Sequence, residues 1–257
     1  MVATKNFNYD PKFYDIQVNW ENRLAKERPF FEPLFKRYKP KSLLDIGCGT
    51  AHHAEMFSNY VDEVTAIDPD SMMIDHAREN VIKAANISLL VGGFEGLENL
   101  FDKKFDMIIS LGNTLTILGT KKKVKAALKS VKKVLAPGGV ALFQFLNYEP
   151  KVLAENRYYR PKVFSHDDKK YIFMKHFEYG KKKTTVDFII SVLDPEGKLE
   201  EFYVNTSKLC TLRKNIFLKM AKNCNYKDIT LLGPGGIDVF DKDKDISLYA
   251  LMSKSPV

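Results

Sequence analysis

The chain has 257 residues, of which 45% are hydrophobic and 28% charged, and this length and composition exclude disordered, collagen-like and disulfide-scaffold proteins. Its net charge of +8 comes from 33 lysines and seven arginines set against 32 acidic residues. Because specific recognition of nucleic acid usually depends on arginine, the lysine-rich surplus predicts a solvated basic surface, and a nucleic-acid partner is not expected.

Apolar and amphipathic segments alternate along the first 150 residues. An amphipathic helix is predicted over 21–38, ended by Pro40. Five short apolar runs predict strands at 42–46, 64–67, 87–91, 105–110 and 140–146. Helices are predicted between them at 52–58, 70–83 and 121–135. This alternation predicts an α/β fold with a doubly wound, mostly parallel sheet.

The pattern changes after residue 150. Antiparallel strands are predicted at 171–176, 184–192 and 201–204, with turns at Gly180 and 194–197. A helix at 212–223 and strands at 228–232 and 246–252 then resume the α/β pattern. The sequence therefore predicts a seven-stranded Rossmann-like domain from 1–150 and 207–257, with a small antiparallel β insertion, 151–206, after strand five.

Other sequence features bear on location and metals. No apolar run approaches the roughly 18–20 residues of a membrane span. The first ten residues also lack the apolar segment of a secretory signal. Three cysteines, Cys48, Cys210 and Cys224, form no CxxC pair, which is typical of reduced thiols in a cytoplasmic protein. The five histidines show no HxxxH or HxH spacing. We therefore expect a cytoplasmic protein with no membrane partner and no metal site.

A glycine-rich loop follows the first predicted strand. This strand ends at Asp45, and Gly47-Cys48-Gly49 leads from it into the next helix. Glycines at such a turn allow the backbone to approach a ligand closely. Asp68, at the end of the following strand, is placed to accept hydrogen bonds from both hydroxyls of a ribose. Together these residues indicate a nucleoside-type cofactor.

A dinucleotide is the first alternative. Its fingerprint requires a third glycine, but the chain has His52 at that position. The carboxylate of Asp45 would repel a pyrophosphate, whereas it would attract a free ammonium group. The residues therefore favour S-adenosylmethionine over NAD.

Four segments in order resemble the motifs of class I S-adenosylmethionine-dependent methyltransferases: DIGCGT (45–50), VTAIDPDSM (64–72), FDMIISLGN (105–113) and LAPGGVALFQ (135–144). The likeness extends over about 20–148 and 208–254. Within that family the chain most resembles the glycine/sarcosine N-methyltransferase-like small-molecule branch. Three further segments carry this closer likeness: WENR (20–23), SLGNTL (110–115) and LNYEP (146–150).

The resemblance implies S-adenosylmethionine as cofactor and S-adenosylhomocysteine as its product. It implies that Arg23 clamps the cofactor carboxylate and that Asp68 holds the ribose. It also implies that the glycine-rich loop, the adenine site and the methyl-transfer end of the cofactor site are formed by Asp45, Gly47, Cys48, Gly49, Pro69, Met73, Gly93, Phe94 and Leu111. Gly93 departs from the pattern, because the family often has an acid there; in this chain Glu95 follows two residues later.

The acceptor side is less clearly defined by sequence. Asn113 and Tyr148 are the expected catalytic residues. The expected substrate-binding residues are Tyr14, Asn113, Asn147, Tyr148 and Arg160. Leu146 stands where the glycine-methylating branch has an arginine, and leucine cannot pair with a carboxylate. Glycine itself is therefore not expected as the substrate. The resemblance also implies that residues 1–38 and the insertion cover the site as arm and lid.

The sequence therefore predicts methyl transfer to a small-molecule acceptor by in-line displacement. An oxygen nucleophile would need a general base, and none stands out, which favours an amine. Two alternatives stay open: methylation of RNA or protein, and a cofactor-sensing module without catalysis.

Overall fold

A computed structural model describes residues 4–6, 11–155, 157–236 and 238–254. These residues form twelve strands: β1 (Thr4–Asn6), β2 (Ser42–Ile46), β3 (Glu63–Asp68), β4 (Ile87–Val91), β5 (Phe105–Ser110), β6 (Leu135–Leu146), β7 (Tyr158–His166), β8 (Lys169–Tyr179), β9 (Lys183–Leu193), β10 (Leu199–Cys210), β11 (Tyr226–Leu232) and β12 (Ser247–Lys254). They also form nine α-helices: α1 (Pro11–Gln17), α2 (Trp20–Tyr38), α3 (His52–Phe57), α4 (Ser71–Asn80), α5 (Leu97–Leu100), α6 (Thr114–Ile117), α7 (Lys121–Val134), α8 (Pro150–Glu155) and α9 (Lys214–Asn223).

The larger sheet has seven strands in the order β11-β12-β6-β5-β2-β3-β4. β12 runs antiparallel to both of its neighbours, and the pairings among β6, β5, β2, β3 and β4 are parallel. This confirms the predicted Rossmann-like sheet. Because the carboxyl ends of parallel strands meet at one edge, ligands of such folds bind there.

Helices cover both faces of this sheet around β2, which explains why β2 shows no alternation of apolar and polar residues. All five positions of β2 are buried. Successive side chains point to opposite faces. Leu44 and Ile46 therefore join the core cluster that includes residues of α7 and α9. Leu43 packs in the second cluster, with residues of α2, α3 and α4.

The smaller sheet has five strands in the order β1-β10-β9-β8-β7. Its pairings are antiparallel except that β1 runs parallel to β10. One face is apolar and packs against the arm, since Phe13 of α1 contacts Tyr203 and Tyr171 at ring-centroid distances of 5.1 and 6.1 Å. We call this second sheet the lid sheet.

The lid sheet is larger than the sequence predicted. β10 continues to Cys210, four residues past the expected boundary of 206, and β1 joins the sheet from the chain's other end. The strand β7 was missed because it is an edge strand that carries Pro161 and exposes most of its residues, so it lacks a clear alternation. The helices α1, α5, α6 and α8 were also missed, since four to seven residues are too few to show helical periodicity.

The turn between β2 and α3 is tight. Gly47 and Gly49 adopt positive φ values of 76° and 56°. The backbone N–H groups of Gly47 and Cys48 both donate to the carbonyl oxygen of Ile67, at 2.8 and 3.1 Å, so the turn is anchored to the end of β3. A Cβ atom on Gly47 would lie 2.3 Å from Cγ2 of Thr114, which makes glycine necessary on steric grounds as well.

A pair of glycine substitutions separates the cost of the backbone conformation from that of the clash. Gly138 has a similar φ of 72°, but a Cβ there would meet nothing within 4 Å. We expect Gly138→Ala to lower the free energy of unfolding by about 1–2 kcal/mol, the cost of left-handed backbone. Gly47→Ala should cost about 1–3 kcal/mol more, because the neighbours must move. Urea denaturation of both variants measures the difference between their losses in free energy of unfolding. Equal losses would show that the predicted contact between a Cβ at position 47 and Thr114 adds no cost.

Candidate active site

Two carboxyl groups lie at the ends of neighbouring parallel strands. Asp45 of β2 is only 2% exposed. Burial, and then the negative charge of Asp68 at the end of β3, raise the pKa of Asp45 to about 7. A buried acid beside a second acid is unfavourable unless positive charge is supplied. The arrangement therefore suits a ligand that brings a cationic group to this edge.

Asp68 is held in place while remaining partly exposed. Its Oδ2 accepts a hydrogen bond from the backbone N–H of Gly49 at 3.0 Å, and its Oδ1 accepts one from Asp70 at 3.0 Å. Burial nevertheless raises the pKa of Asp68. The helix cap of α4 is provided by Asp70, whose side chain accepts from the backbone N–H of Met72. The carboxylate of Asp68 is therefore not needed as a cap.

The residues expected around the adenine show different degrees of burial. Pro69 is exposed at the end of β3, whereas Met73 and Phe94 are buried. Phe94 packs in the main core cluster, with its ring 6.4 Å from that of Phe143. A Cβ added at Gly93 would meet only Pro69, at 3.8 Å. The backbone there leaves open space where the family often has an acid.

Asp15 of α1 connects the arm to the glycine turn, and sequence reasoning missed it. Its Oδ1 accepts from Thr50 Oγ1 at 2.6 Å and from Trp20 Nε1 at 2.7 Å. Its Oδ2 lies 3.0 Å from Nε2 of His76 and 3.4 Å from Nε2 of His52. Burial acts to raise its pKa, but the hydrogen bonds outweigh burial and lower the pKa to about 2. One carboxylate therefore ties the arm to the turn and to α4.

Arg23 lies on α2, close to the part of the arm that contacts the glycine turn. Its Nε pairs with Oε1 of Glu27 at 3.1 Å, and its guanidinium stacks over the ring of Trp20 at 5.0 Å. Glu27 in turn contacts Nε2 of His53 at 2.6 Å. Burial lowers the pKa of His53. Arg23 also hydrogen-bonds the hydroxyl of Tyr14, whose ring packs beside Gly49. The structure thus places Arg23 and Tyr14 together near the turn.

The methyl-transfer end of the expected site lies at the ends of β5 and β6. Asn113 has a positive φ of 71°, and its Oδ1 accepts from the backbone N–H of Leu146 at 3.1 Å. Its Nδ2 donates to the hydroxyl of Tyr148 at 3.4 Å. The carbonyl oxygen of Leu111 accepts from Thr114 Oγ1 at 2.7 Å, so it is already partly engaged. Asn113 therefore bridges two strand ends.

The structure gives the surroundings of three residues expected on the acceptor side. Tyr148 is fully buried, burial raises its pKa to about 12, and its hydroxyl hydrogen-bonds with Asn113 and Thr116. Asn147 is also buried, with its amide donating to the carbonyl oxygens of Lys242 and Asp245. Arg160 is exposed on the edge strand β7. Two of these three side chains, Asn147 and Tyr148, are thus engaged in hydrogen bonds within the protein.

Two other kinds of feature are absent from the described part of the chain. Helices formed by these residues include none with the length and apolar character to cross a bilayer. Likewise, no group of three or more histidine, cysteine, aspartate or glutamate side chains among them is arranged to hold a metal ion.

Comparison with known proteins gives a family match over part of the chain. A family model described as a methyltransferase domain matches residues 43–139, which contain the glycine turn, Asp68 and Asn113. Over these residues the chain is therefore similar to a methyltransferase domain. The crystal structure of an S-adenosylmethionine-dependent methyltransferase from Clostridium acetobutylicum ATCC 824 shares the fold of this chain. Its TM-score is 0.75 at 17% identity, with 95% of this chain and 97% of that chain covered.

Curated relatives resemble this chain over shorter stretches. A glycine/sarcosine N-methyltransferase of Aphanothece halophytica is 26% identical over 137 residues, which are 53% of this chain and 52% of the relative. A dTDP-3-amino-3,4,6-trideoxy-alpha-D-glucopyranose N,N-dimethyltransferase of Streptomyces venezuelae is 29% identical over 103 residues, covering 40% of this chain and 41% of the relative. The chain therefore spans about half the length, or less, of these relatives.

The contacts of Asp15 predict a pH-dependent contribution to stability. A pKa lowered from 3.8 to about 2 means that the ionised form is favoured in the folded state, so this stability is present above pH 4 and lost as the pH falls toward 2. We expect Asp15→Asn to lower the free energy of unfolding by about 2 kcal/mol at pH 6, and by about half of that at pH 3. Denaturation across this pH range measures the difference, and a pH-independent difference would contradict the assignment.

Proposed function

We propose that this protein is a methyltransferase that transfers a methyl group from S-adenosylmethionine to an amine of a small-molecule acceptor. The observation that carries the proposal is the closeness of Asp45 and Asp68 near the carboxyl ends of adjacent strands, around a turn formed by Gly47 and Gly49. A phosphate-bearing cofactor would meet two negative charges there, and its binding would be disfavoured. S-adenosylmethionine brings an ammonium, a sulfonium and two ribose hydroxyls, all of which suit carboxylates.

The residues present fit this cofactor. Asp68 is partly exposed and held by two backbone N–H groups, which leaves it oriented to accept from ribose hydroxyls. Asp45 would receive the ammonium, and Arg23 would pair with the cofactor carboxylate through its guanidinium. The open backbone at Gly93 admits the adenine amino edge without a side-chain acid.

The bound cofactor supplies a methyl group already activated by the positive sulfur. The protein's part is therefore to hold the acceptor nitrogen in line and to exclude water. Asn113 lies where β5 and β6 end and offers a polar side chain for that positioning. Tyr148 would hold Asn113 in place as a positioning residue.

The acid–base properties of nearby groups favour nitrogen as the acceptor atom. The pKa of Tyr148 is raised to about 12, which makes it a poor source of a base at neutral pH. His53 is buried and contacts Glu27. An oxygen acceptor would need a base to remove its proton, whereas an amine can arrive deprotonated. The names of the two curated relatives, both N-methyltransferases, support the same class of acceptor atom.

The two-part organisation also belongs to the proposal. The Rossmann-like part would bind the cofactor, and the arm and the lid sheet would enclose the acceptor. The contact between Phe13 of the arm and Tyr203 of the lid sheet supports this, because it joins the two covers on one side of the site.

Calorimetric titration with S-adenosylhomocysteine tests the proposal. We expect wild-type protein to bind it and Asp68→Asn to bind about 10–100-fold more weakly, the loss expected for hydrogen bonds to a charged group. Asp70→Asn is the matched control, because it retains an oxygen that caps α4 while leaving Asp68 intact. The control should bind like the wild type.

Absence of binding by folded wild-type protein would contradict the proposal. Tight binding by wild type with no methyl transfer to any amine, together with a salt-sensitive shift of RNA in a gel, would instead favour the alternative of RNA methylation.

A further inference from the structure

A lysine interrupts an aromatic stripe in the middle of the lid sheet. Along β8 the side chains on one face are Tyr171, Phe173, Lys175, Phe177 and Tyr179. Tyr171, Phe173 and Phe177 are buried. Lys175 therefore occupies a position where the pattern of the strand calls for another large apolar residue.

The ammonium of Lys175 has an aromatic neighbour and, among the described side chains, no acidic partner. Its Nζ lies 5.1 Å from the ring centroid of Phe188, which is directly opposite on β9. Among the residues that the structure describes, none places a carboxylate within 4.0 Å of this ammonium. Lys169 on the same strand, by contrast, pairs with Glu200. An inward-facing cation without a counter-ion is costly unless a ligand supplies the negative charge.

The position of Lys175 in the lid sheet places it over the proposed site. Toward one end of β8, Tyr171 and Phe173 pack in a cluster with Phe13 of the arm. Toward the other end, Tyr179 packs against the core of the Rossmann-like part. Lys175 lies between these two anchored ends, so it faces the space between the arm and the edge of the larger sheet.

Electrostatic effects agree with that location. Burial, followed by the positive charges of Lys162 and Arg23, lowers the pKa of Lys175 to about 8. Arg23 is the residue proposed to hold the cofactor carboxylate, so the two cations are near one another. Tyr159, opposite Lys175 on β7, is close enough to Tyr148 to influence that residue's pKa. Lys175 is thus near both the cofactor end and the acceptor end of the site.

We propose that the methyl acceptor is an amine that also carries an acidic group, a carboxylate or a phosphate, and that Lys175 binds this group from the lid sheet. The inference rests on the proposed function and adds the chemical class of its acceptor. It also fits the leucine at position 146, because the cation that receives the acid comes from the lid and not from the end of β6.

Two variants and a control isolate this role. Lys175→Met removes the charge but keeps an unbranched stem that can pack on Phe188, and Lys175→Arg retains the charge. Lys170→Met is the control, since Lys170 is exposed and its side chain points to the opposite face of β8. Each protein is saturated with S-adenosylhomocysteine and titrated with linear amines of two to six carbons that end in a carboxylate, a phosphate or a methyl group.

We expect the acid-bearing amines to bind the wild type more tightly than the methyl-ended amines of equal length. Lys175→Met should weaken acid-bearing amines by at least about tenfold, as expected for loss of a charge-assisted hydrogen bond, and should leave methyl-ended amines unchanged. Lys175→Arg and Lys170→Met should keep the preference. The carboxylate and phosphate series show which acid is received.

Three results would overturn the inference while leaving the proposed function standing. The first is that the wild type shows no preference for acid-bearing amines, and the second is that the preference survives in Lys175→Met. The third is that Lys175→Met loses affinity for S-adenosylhomocysteine, which would place Lys175 on the cofactor. Failure of the wild type to bind S-adenosylhomocysteine would be a different result, because it removes the proposed function itself.

Discussion

The site depends on two carboxyl groups that the parallel sheet forces together. Asp45 lies one residue before the end of β2, and Asp68 is the last residue of the adjacent strand β3. The register places Asp45 opposite Ala66, two residues before Asp68, so the sheet keeps the two carboxyl groups near each other. Burial raises the pKa of both, and the charge of Asp68 raises that of Asp45 further. Such a pair stores unfavourable electrostatic energy that a cationic ligand can relieve. The glycine turn, the arm and α4 are all arranged around it.

The covers of the site are connected to one another through few contacts. Asp15 holds the arm to Thr50 on the glycine turn. Phe13, two residues earlier on the same short helix, packs on the lid sheet. The helix α1 therefore contacts both the glycine turn and the lid sheet. This arrangement would let cofactor binding at the turn organise the acceptor side.

The sequence predicted the inner strands of the larger sheet well because β2, β3 and β5 are largely buried and are bounded by glycine, proline or capping residues. The strands 42–46, 87–91 and 105–110 were predicted with the bounds that the structure shows. β4 (87–91) is an edge strand with no buried residue, so its apolar run alone identified it. The edge strand β7 lacks such a run, and β1 pairs with β10, nearly two hundred residues away in sequence.

The site was partly predictable for a related reason. Asp45, Gly47 and Asp68 follow a local strand–turn pattern, so sequence alone located them. Asp15 and Lys175 were not found, because each acquires its importance only through tertiary contacts with distant elements. Asn147 and Tyr148 follow a strand as ligand-binding residues often do, yet their side chains are buried in structural hydrogen bonds.

The most direct test of this account is the pH dependence of S-adenosylhomocysteine affinity in wild-type protein and in Asp45→Asn, measured by calorimetry between pH 5.5 and 8.5. Asp45 must be ionised to receive the ammonium, and its pKa is about 7. Below the pKa, affinity should therefore rise by up to about tenfold for each unit of pH. Above about pH 7 it should level off. Asp45→Asn should bind weakly with no such rise. The same pH profile in both proteins would contradict the role of the carboxyl pair.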